Sequence, residues 1–382
     1  MSAQAAHKGS LFGRLRRVVL KVGSSILAHG QGLAAGRLPG LVREIATLHG
    51  RGLDVVLVSS GAVAAGVARL GLRTRPKTVP QRQAAAAVGQ IDLMALYEEH
   101  FDRAGIRVAQ ILLTHEDLAS RKRYLNAHHT IETLFAARVL PIANENDTVV
   151  TDELTTFGDN DNLSALIAGL VEADLLVLLS DIDGLYTRNP NLHPDAELVR
   201  VVDMNAHSGA DFEMDGRSSV GTGGMASKFA AARKGCAAGI PTVIAHGLRE
   251  GVLARVLDPV AEEGTLFLPQ GDRLTRRKHW IAYTLKPAGT LVVDHGAVDA
   301  VVRGGRSLLP SGLRRIDGKF EGGACVRCTD PDGREFARGL VTYGAAELER
   351  IKGQQSADIE TILGYKLTDE IIHRDDLVLT GY

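Results

Sequence analysis

Short apolar runs alternate with longer amphipathic stretches over about the first 265 residues. The apolar runs are rich in leucine and β-branched residues on both faces, which is typical of strands buried between two helix layers. Two helical patterns are especially clear, Gln81–Ala104, which Gly105 closes, and Arg121–Ala137. This alternation predicts an α/β domain with a three-layer, mainly parallel sheet flanked by helices. Its predicted strands are Arg17–Val22, Asp54–Ser59, Arg107–Leu113, Leu140–Asn144, Leu175–Ser180 and Pro241–Ala245.

The pattern changes after Phe267, where Pro269–His279 is polar and basic, as a linker would be. Beyond it, short β-like runs separated by glycine turns predict a small, mostly β domain with one helix, Ala345–Ile351. A chain of 382 residues also exceeds what one hydrophobic core usually serves. The expected organisation is a loose N-terminal arm (1–16), an α/β domain (17–268), a linker (269–279) and a β domain (280–382).

Charge and cysteine content narrow the class of protein. Forty-four basic and 45 acidic residues nearly cancel, so the whole chain offers no electrostatic case for binding nucleic acid or anionic membrane. No apolar stretch is long enough for a membrane helix, and the N-terminus lacks the apolar core of a secretory signal. Three cysteines cannot form a disulfide framework, and the single Cys325-Val-Arg-Cys328 pair does not predict structural zinc. We therefore expect a cytoplasmic protein with no metal-binding residues of its own.

The segment Gly221-Thr-Gly-Gly-Met-Ala-Ser-Lys228 is the most informative motif, because three glycines and a lysine open an alanine-rich helix. Glycines let backbone N–H groups approach an anion, and the start of a helix adds positive potential. The segment is neither a Walker A loop nor a dinucleotide fingerprint. It predicts phosphate binding, and a plain surface loop is the alternative.

Other polar segments follow or adjoin predicted strands. They are Lys21-Val-Gly-Ser-Ser25, Ser59-Ser-Gly-Ala-Val-Ala-Ala-Gly66, Asn144-Glu-Asn-Asp147, Gly158-Asp-Asn-Asp-Asn162 and Ser180-Asp181. Ligands of parallel sheets bind beyond the carboxyl ends of the strands, so we expect these segments to meet there. Each also has a purely structural reading: a lysine at the sheet margin, a helix N-cap, an Asx turn or a plain turn. The acidic runs also carry residue types that bind calcium, but the spacing of an EF-hand is absent.

Taken in order, these motifs resemble the glutamate-phosphorylating branch of the amino acid kinase family, together with Ala86-Ala-Val-Gly-Gln90. The resemblance covers nearly the whole chain from Arg17 onward. The C-terminal part is similar to a PUA domain, through Gly305-Arg-Ser-Leu-Leu-Pro-Ser-Gly312 and His373-Arg-Asp-Asp376. The resemblance implies the reaction of ATP with L-glutamate to give ADP and L-glutamyl 5-phosphate, the first step of proline biosynthesis.

The resemblance also implies roles for individual residues. Lys21 and Lys228 match lysines that neutralise the transferring phosphoryl group, and Asp161 matches the carboxylate that positions them. Glutamate-binding positions are matched by Ser60, Asp147 and Asn160. The implied ATP site comprises Lys21, Ser180, Asp181, Thr222, Gly223, Gly224, Met225, Ala226, Ser227 and Lys228. Mg²⁺ is expected to arrive on ATP oxygens and water.

Alternative functions stay open at this point, and so does the oligomeric state. Other amino acid kinases phosphorylate N-acetylglutamate or aspartate, although an ammonium partner such as Asp147 would serve no purpose for an acetylated amine. PUA domains in other proteins contact RNA, and Arg273–Lys319 carries ten basic against three acidic residues, but acidic residues prevail beyond it. The resemblance further implies a homo-oligomer, dimeric or tetrameric, which the residues themselves do not settle.

Overall fold

The computed structural model describes most of the chain, in two compact units. The first unit comprises residues 1–119 and 126–270, and the second comprises 120–125 and 271–382. The described residues are 3–13, 15–29, 32–33, 36–74, 76–119, 121–149, 160–190, 192–204, 212, 224–269 and 287–380.

Ten strands and ten helices are described before residue 270. The strands are β1 (Arg17–Val22), β2 (Ala28–His29), β3 (Gly32–Leu33), β4 (Asp54–Ser59), β5 (Val108–Leu113), β6 (Leu140–Glu145), β7 (Leu175–Ser180), β8 (Val201–Asp203), β9 (Thr242–His246) and β10 (Thr265–Leu268). The helices are α1 (Ala3–Phe12), α2 (Ser24–Leu27), α3 (Leu38–Gly50), α4 (Ala62–Arg69), α5 (Val79–Asp102), α6 (His115–Ala119), α7 (Arg121–Ala136), α8 (Asn160–Leu170), α9 (Met225–Ala237) and α10 (Val252–Leu257).

Eight of these strands form one sheet in the order β5-β6-β4-β1-β7-β9-β10-β8. All neighbours from β5 to β9 are parallel, whereas β10 runs antiparallel to β9. Strand β1 pairs with β4 on one side and with β7 on the other, so the strand order reverses there. Ligand crevices of open parallel sheets form at such reversals.

Helices cover both faces of the sheet. On one face, alternate residues of the central strands share a core with side chains of α3, α5 and α10. The opposite face meets α9, since a Cβ at Gly235 would lie 3.5 Å from the Leu176 side chain. Helix α8 packs beside α9 and contacts β1 and β7. The three-layer, mainly parallel architecture is therefore confirmed.

The second unit is built on a five-stranded sheet of order β12-β11-β13-β14-β15. Its strands are β11 (Gly289–Val293), β12 (Leu313–Gly318), β13 (Cys325–Thr329), β14 (Glu335–Leu340) and β15 (Leu377–Leu379). Its helices are α11 (His295–Val302), α12 (Ala345–Ile351) and α13 (Ile359–Leu363). A separate core that includes Leu291, Phe336 and Ile372 fills this unit. The predicted mostly β domain is confirmed.

The N-terminus differs from the loose arm expected over residues 1–16. Residues 3–12 form α1, and the side chains of Gln4 and Lys8 are fully buried. Gln4 Nε2 donates to the carbonyls of Arg200, Glu263 and Gly264, which lie beside β8 and β10. The buried Gln4 amide and Lys8 ammonium group pair with carbonyl groups and so hold α1 in place. The polar sequence of this segment contains no pattern that predicts such burial.

The linker expected at 269–279 lies outside the described residues, except for Pro269. The boundaries 17–268 and 280–382 therefore stay predictions. Among the helices that the structure describes, none has the length and apolar character needed to cross a membrane.

Candidate active site

The predicted polar segments converge at the carboxyl end of the parallel strands. Lys21 is the penultimate residue of β1, Ser59 ends β4, and Ser180 ends β7. In register, Val22 pairs with Ser59, and Lys21 pairs with Leu178. Three neighbouring strands thus deliver polar side chains to the reversal point of the sheet.

Two lysines share one carboxylate at this point. Lys21 Nζ lies 2.6 Å from Asp161 Oδ1, and Lys228 Nζ lies 3.5 Å from Asp161 Oδ2. All three side chains are buried, and that of Asp161 is only 2% exposed. The lysines come from β1 and α9, whereas Asp161 is the second residue of α8. A carboxylate in the first turn of a helix also interacts favourably with the helix dipole.

The electrostatics of this cluster leave one positive charge in excess. Burial alone would raise the pKa of the Asp161 carboxyl, but the Lys21 and Lys228 ammonium groups, with hydrogen bonds from Lys21 and Ser227, hold it at about 2. Burial lowers the pKa of Lys228, while Asp161 opposes that effect and Lys21 adds to it. An anion bound beside the lysines would neutralise the remaining charge.

The start of α9 faces the same carboxylate. Ser227 Oγ donates to Asp161 Oδ2 at 2.8 Å and also lies 3.0 Å from the Gly224 carbonyl oxygen. Gly224 is the N-cap, so the amides of Met225 and Ala226 belong to the unpaired first turn of the helix. This arrangement suits a phosphate group. Thr222 and Gly223, also predicted for the ATP site, lie outside the described residues.

Asn160 and Ser60 lie together next to that cluster. Asn160 Nδ2 donates to Ser60 Oγ at 3.0 Å, to the Ser59 carbonyl at 3.1 Å and to Asn144 Oδ1 at 2.9 Å. Since Asn160 immediately precedes Asp161 at the start of α8, the predicted glutamate and phosphate residues are contiguous.

Asp147 lies just beyond β6, two residues after Glu145. Burial raises the pKa of the Asp147 carboxyl to about 7, and the charge of Glu145 adds to the effect. Glu145 is itself buried, and its Oε1 lies 3.8 Å from His115 Nδ1. Asp147 follows Asn144 by three residues, and Asn144 Oδ1 accepts from Asn160 Nδ2 at 2.9 Å, so the end of β6 adjoins the start of α8.

Ser180 and Asp181, predicted for the nucleotide, flank the cluster on the β7 side. Ser180 is buried and its Oγ donates to Asp181 Oδ1 at 3.1 Å, while Asp181 is exposed. The charge of Asp181 also raises the pKa of Lys228, which places the two groups within electrostatic reach of each other.

Several further polar residues lie at this edge of the sheet, with no role predicted for them from the sequence. Asn144 Nδ2 donates to Gln90 Oε1 at 2.8 Å, across 54 positions in the chain. Ser59 Oγ lies 2.8 Å from the hydroxyl of Tyr97, which is fully buried in α5. The polar run 144–147 and the family-like segment 86–90 point to Asn144 and Gln90, but neither predicts which partner the side chain meets, and no local signal distinguishes Tyr97 within a long helix.

The described residues contain no group of three or more His, Cys, Asp or Glu side chains arranged to hold a metal ion. The one buried carboxylate between the lysines is already paired with both of them.

Comparison with known proteins agrees with this arrangement. Residues 16–246 match the amino acid kinase family, and residues 289–363 match the PUA domain. A glutamate 5-kinase of Geobacter sp. (strain M21) is 54% identical over 370 residues, which are 97% of this chain and 99% of the relative. A glutamate 5-kinase of Chromohalobacter salexigens is 50% identical over 378 residues, 99% of each chain.

Proposed function

We propose, since the chain belongs to the glutamate 5-kinases of the amino acid kinase family, that it transfers the γ-phosphoryl group of ATP to the side-chain carboxylate of L-glutamate. The observation that carries this proposal is the pair of buried lysines on one carboxylate at the reversal point of the sheet. Phosphoryl transfer is mostly positioning and charge stabilisation, and this cluster provides both.

The nucleophile needs no general base. A glutamate side chain has a pKa near 4.3 in model peptides and is therefore ionised at neutral pH. Its oxygen forms the new bond to the γ-phosphorus, while the bond to the β–γ bridging oxygen breaks and ADP departs with the electron pair. The obstacle is repulsion between two anions, which Lys21 and Lys228 reduce because both carry a positive charge at the proposed phosphate site.

Asp161 acts by holding both lysines. Its two oxygens face different ammonium groups, and Ser227 donates to one of them. The carboxylate remains charged throughout the working pH range, since its pKa is held at about 2. We assign Asp161 a positioning role, because a proton transfer at neutral pH would require a much higher pKa.

We assign the recognition of free glutamate to the polar residues beside this cluster. Ser60 and Asn160 lie together at the end of β4 and the start of α8, where they suit the polar atoms of an amino acid. Asp147 supplies a negative charge for the substrate ammonium group. This charge favours glutamate over N-acetylglutamate, whose amide nitrogen carries no positive charge.

We assign nucleotide binding to the start of α9 and the end of β7. We assign the phosphates to the first-turn amides that follow Gly224, the Lys228 ammonium group and the Ser180–Asp181 corner. Mg²⁺ carried on the ATP oxygens supplies further neutralisation of charge when bound. Lys21 and Lys228 do the same from the protein side.

Three broader expectations accompany the proposal. We place the enzyme in the cytoplasm, in agreement with three free cysteines among the described residues.

We expect a dimer or tetramer, since edge strand β5 exposes Leu112 and the adjacent helix α5 exposes Ile91 by 72%. Contact of the second unit with RNA remains the alternative activity, and a salt-dependent gel shift would reveal it.

A hydroxylamine trap tests the proposed reaction. Hydroxylamine converts an acyl phosphate into a coloured hydroxamate, so the assay detects carboxylate phosphorylation directly. Purified protein with MgATP should give hydroxamate with L-glutamate and little with N-acetyl-L-glutamate or L-aspartate. Comparable turnover of glutamate and either competitor would contradict the assignment.

A further inference from the structure

Gln90 lies on α5, outside the set of residues that face the reacting groups, yet it is hydrogen-bonded to the polar network beside them. Its Oε1 accepts from Asn144 Nδ2 at 2.8 Å. Asn144 is the fifth residue of β6 and is only 3% exposed. A buried amide of this kind has two similar ends, and its orientation is set by the partners that it finds.

Asn144 passes this orientation on to Asn160. With its nitrogen turned to Gln90, Asn144 directs Oδ1 to Asn160 Nδ2 at 2.9 Å and to the Glu145 backbone N–H at 2.9 Å. A reversed Asn144 amide would place its NH₂ group against two donors. The acceptor of Gln90 therefore favours the one orientation that satisfies all of these groups.

The orientation of Asn160 follows in turn. Its Nδ2 is surrounded by three acceptors, from Ser59, Ser60 and Asn144. Its Oδ1 is buried and finds no hydrogen-bond partner within the part of the chain that the structure describes. A buried carbonyl oxygen without a partner is costly, which suggests that it receives a donor from a ligand.

The backbone around Gln90 is fixed in position. A Cβ atom at the preceding residue, Gly89, would lie 1.9 Å from the Ala62 carbonyl oxygen and 2.2 Å from the Gly66 nitrogen. Helix α5 thus packs backbone to backbone against α4, which begins two residues after Ser60. This close packing joins the helix that carries Gln90 to the helix that follows Ser60.

We infer that Gln90 is a positioning residue for the amino acid substrate, which it affects through Asn144 and Asn160. Its acceptor stabilises the polarity of the two amides, which the Glu145 N–H also requires, so that Asn160 Oδ1 is presented to a donor of the substrate. The inference rests on the proposed phosphorylation of L-glutamate and adds a residue that acts through Asn144 and Asn160.

Two substitutions at this position separate the acceptor from the shape of the side chain. Gln90→Met keeps the length but removes the acceptor, and it should raise the KM for glutamate about 10-fold, as loss of one oriented hydrogen bond does. The KM for ATP should stay within about two-fold. Gln90→Glu keeps an acceptor oxygen and should restore the glutamate KM to near the wild-type value.

Glu98→Met, on the exposed side of the same helix, is the control for a methionine on α5. An unchanged glutamate KM in Gln90→Met would overturn the inference. An increase in Gln90→Glu as large as in Gln90→Met, or an equal rise in the KM for ATP, would overturn it as well. Failure of the wild-type protein to form hydroxamate would instead contradict the proposed function itself.

Discussion

Lys228 Nζ lies 3.5 Å from Asp161 Oδ2, on the side of the carboxylate opposite Lys21. Neither lysine is adjacent to Asp161 in sequence, and the three residues meet only because β1, α8 and α9 surround one crevice. Pairing with a shared carboxylate lowers the cost of burying two ammonium groups. One positive charge of the cluster remains unbalanced, and a bound phosphate can supply the negative charge that neutralises it.

Replacement of Lys228 by alanine removes a cation from the transferring group. We expect kcat to fall on the order of 10³-fold or more, as loss of a charge that stabilises a phosphoryl transition state does. Steady-state kinetics at saturating ATP and glutamate measure this change. Lys234→Ala, an exposed lysine on the same helix, serves as the control and should keep normal kcat. Near-normal kcat in Lys228→Ala would refute the role.

The carboxyl of Asp147 should make glutamate binding sensitive to pH. Burial, aided by Glu145, raises its pKa to about 7, and only the ionised form attracts the substrate ammonium group. The ionised fraction falls from about one half at pH 7 to about one tenth at pH 6, so the glutamate KM should rise roughly five-fold. Kinetics between pH 6 and 8.5, at saturating ATP, measure this profile.

Two variants check the origin of that dependence. Asp147→Asn should raise the glutamate KM strongly at every pH, remove the slope and leave the ATP KM near its starting value. Glu145→Gln removes the neighbouring charge and should shift the slope to lower pH. If ATP binding suffers as much as glutamate binding in Asp147→Asn, the residue belongs to folding or to the phosphate site.

Lys8 should link the stability of the first unit to pH. Its Nζ donates to the Ala261 carbonyl at 2.8 Å, and burial lowers its pKa to about 8, against the opposing charges of Asp258, Glu263 and Glu262. The unfolded chain therefore binds more protons than the folded chain above pH 8. On this account, stability rises with pH from about 8 to the ordinary lysine value near 10.5.

Thermal melts of Lys8→Met and wild type between pH 7 and 9.5 test this linkage. Other groups titrate alike in both proteins, so the difference in Tm should change by a few degrees in favour of the wild type as pH rises. A difference that stays constant across the range would show that Lys8 does not titrate there. Lys77→Met, in an exposed loop, controls for loss of a lysine.

A chain that ends at Gly271 should fold and keep kinase activity. The hydrophobic core of the α/β unit draws on residues from Phe12 to Leu266, and the β unit has its own core from Leu291 to Leu377. Every residue of the candidate site precedes Pro269. Tm and kcat should be measured separately, at a temperature well below the melt. A shortened chain that melts cooperatively but has no activity would show that the second unit contributes to catalysis.

Much of the fold was predictable, because the central strands are continuous apolar runs bounded by polar turns. The predicted strands Arg17–Val22, Asp54–Ser59 and Leu175–Ser180 have the observed bounds. The predicted Lys21, Asp161 and Lys228 also meet in space. Each stands beside a glycine-rich or acidic segment at the end of a strand or the start of a helix, where sequence carries a local signal.

The contacts between distant elements were not predictable in the same way. Gln90 belongs to the family-like segment 86–90, but its partner Asn144 lies 54 positions away in the chain, on β6. Gln4 and Lys8 are polar residues in a short N-terminal stretch, and their burial depends on carbonyls more than 190 residues away. No local pattern encodes a partner at such separation.

Isotope transfer from labelled glutamate tests the central claim most directly. L-glutamate carrying ¹⁸O in its side-chain carboxylate would be incubated with MgATP and hydroxylamine, and the released phosphate analysed by mass spectrometry. If the carboxylate oxygen attacks the γ-phosphorus, hydroxylamine cleaves the C–O bond and each phosphate keeps one ¹⁸O atom, which is the result we predict. Phosphate without ¹⁸O, released at the same rate as ADP, would mean that water and not glutamate accepts the phosphoryl group.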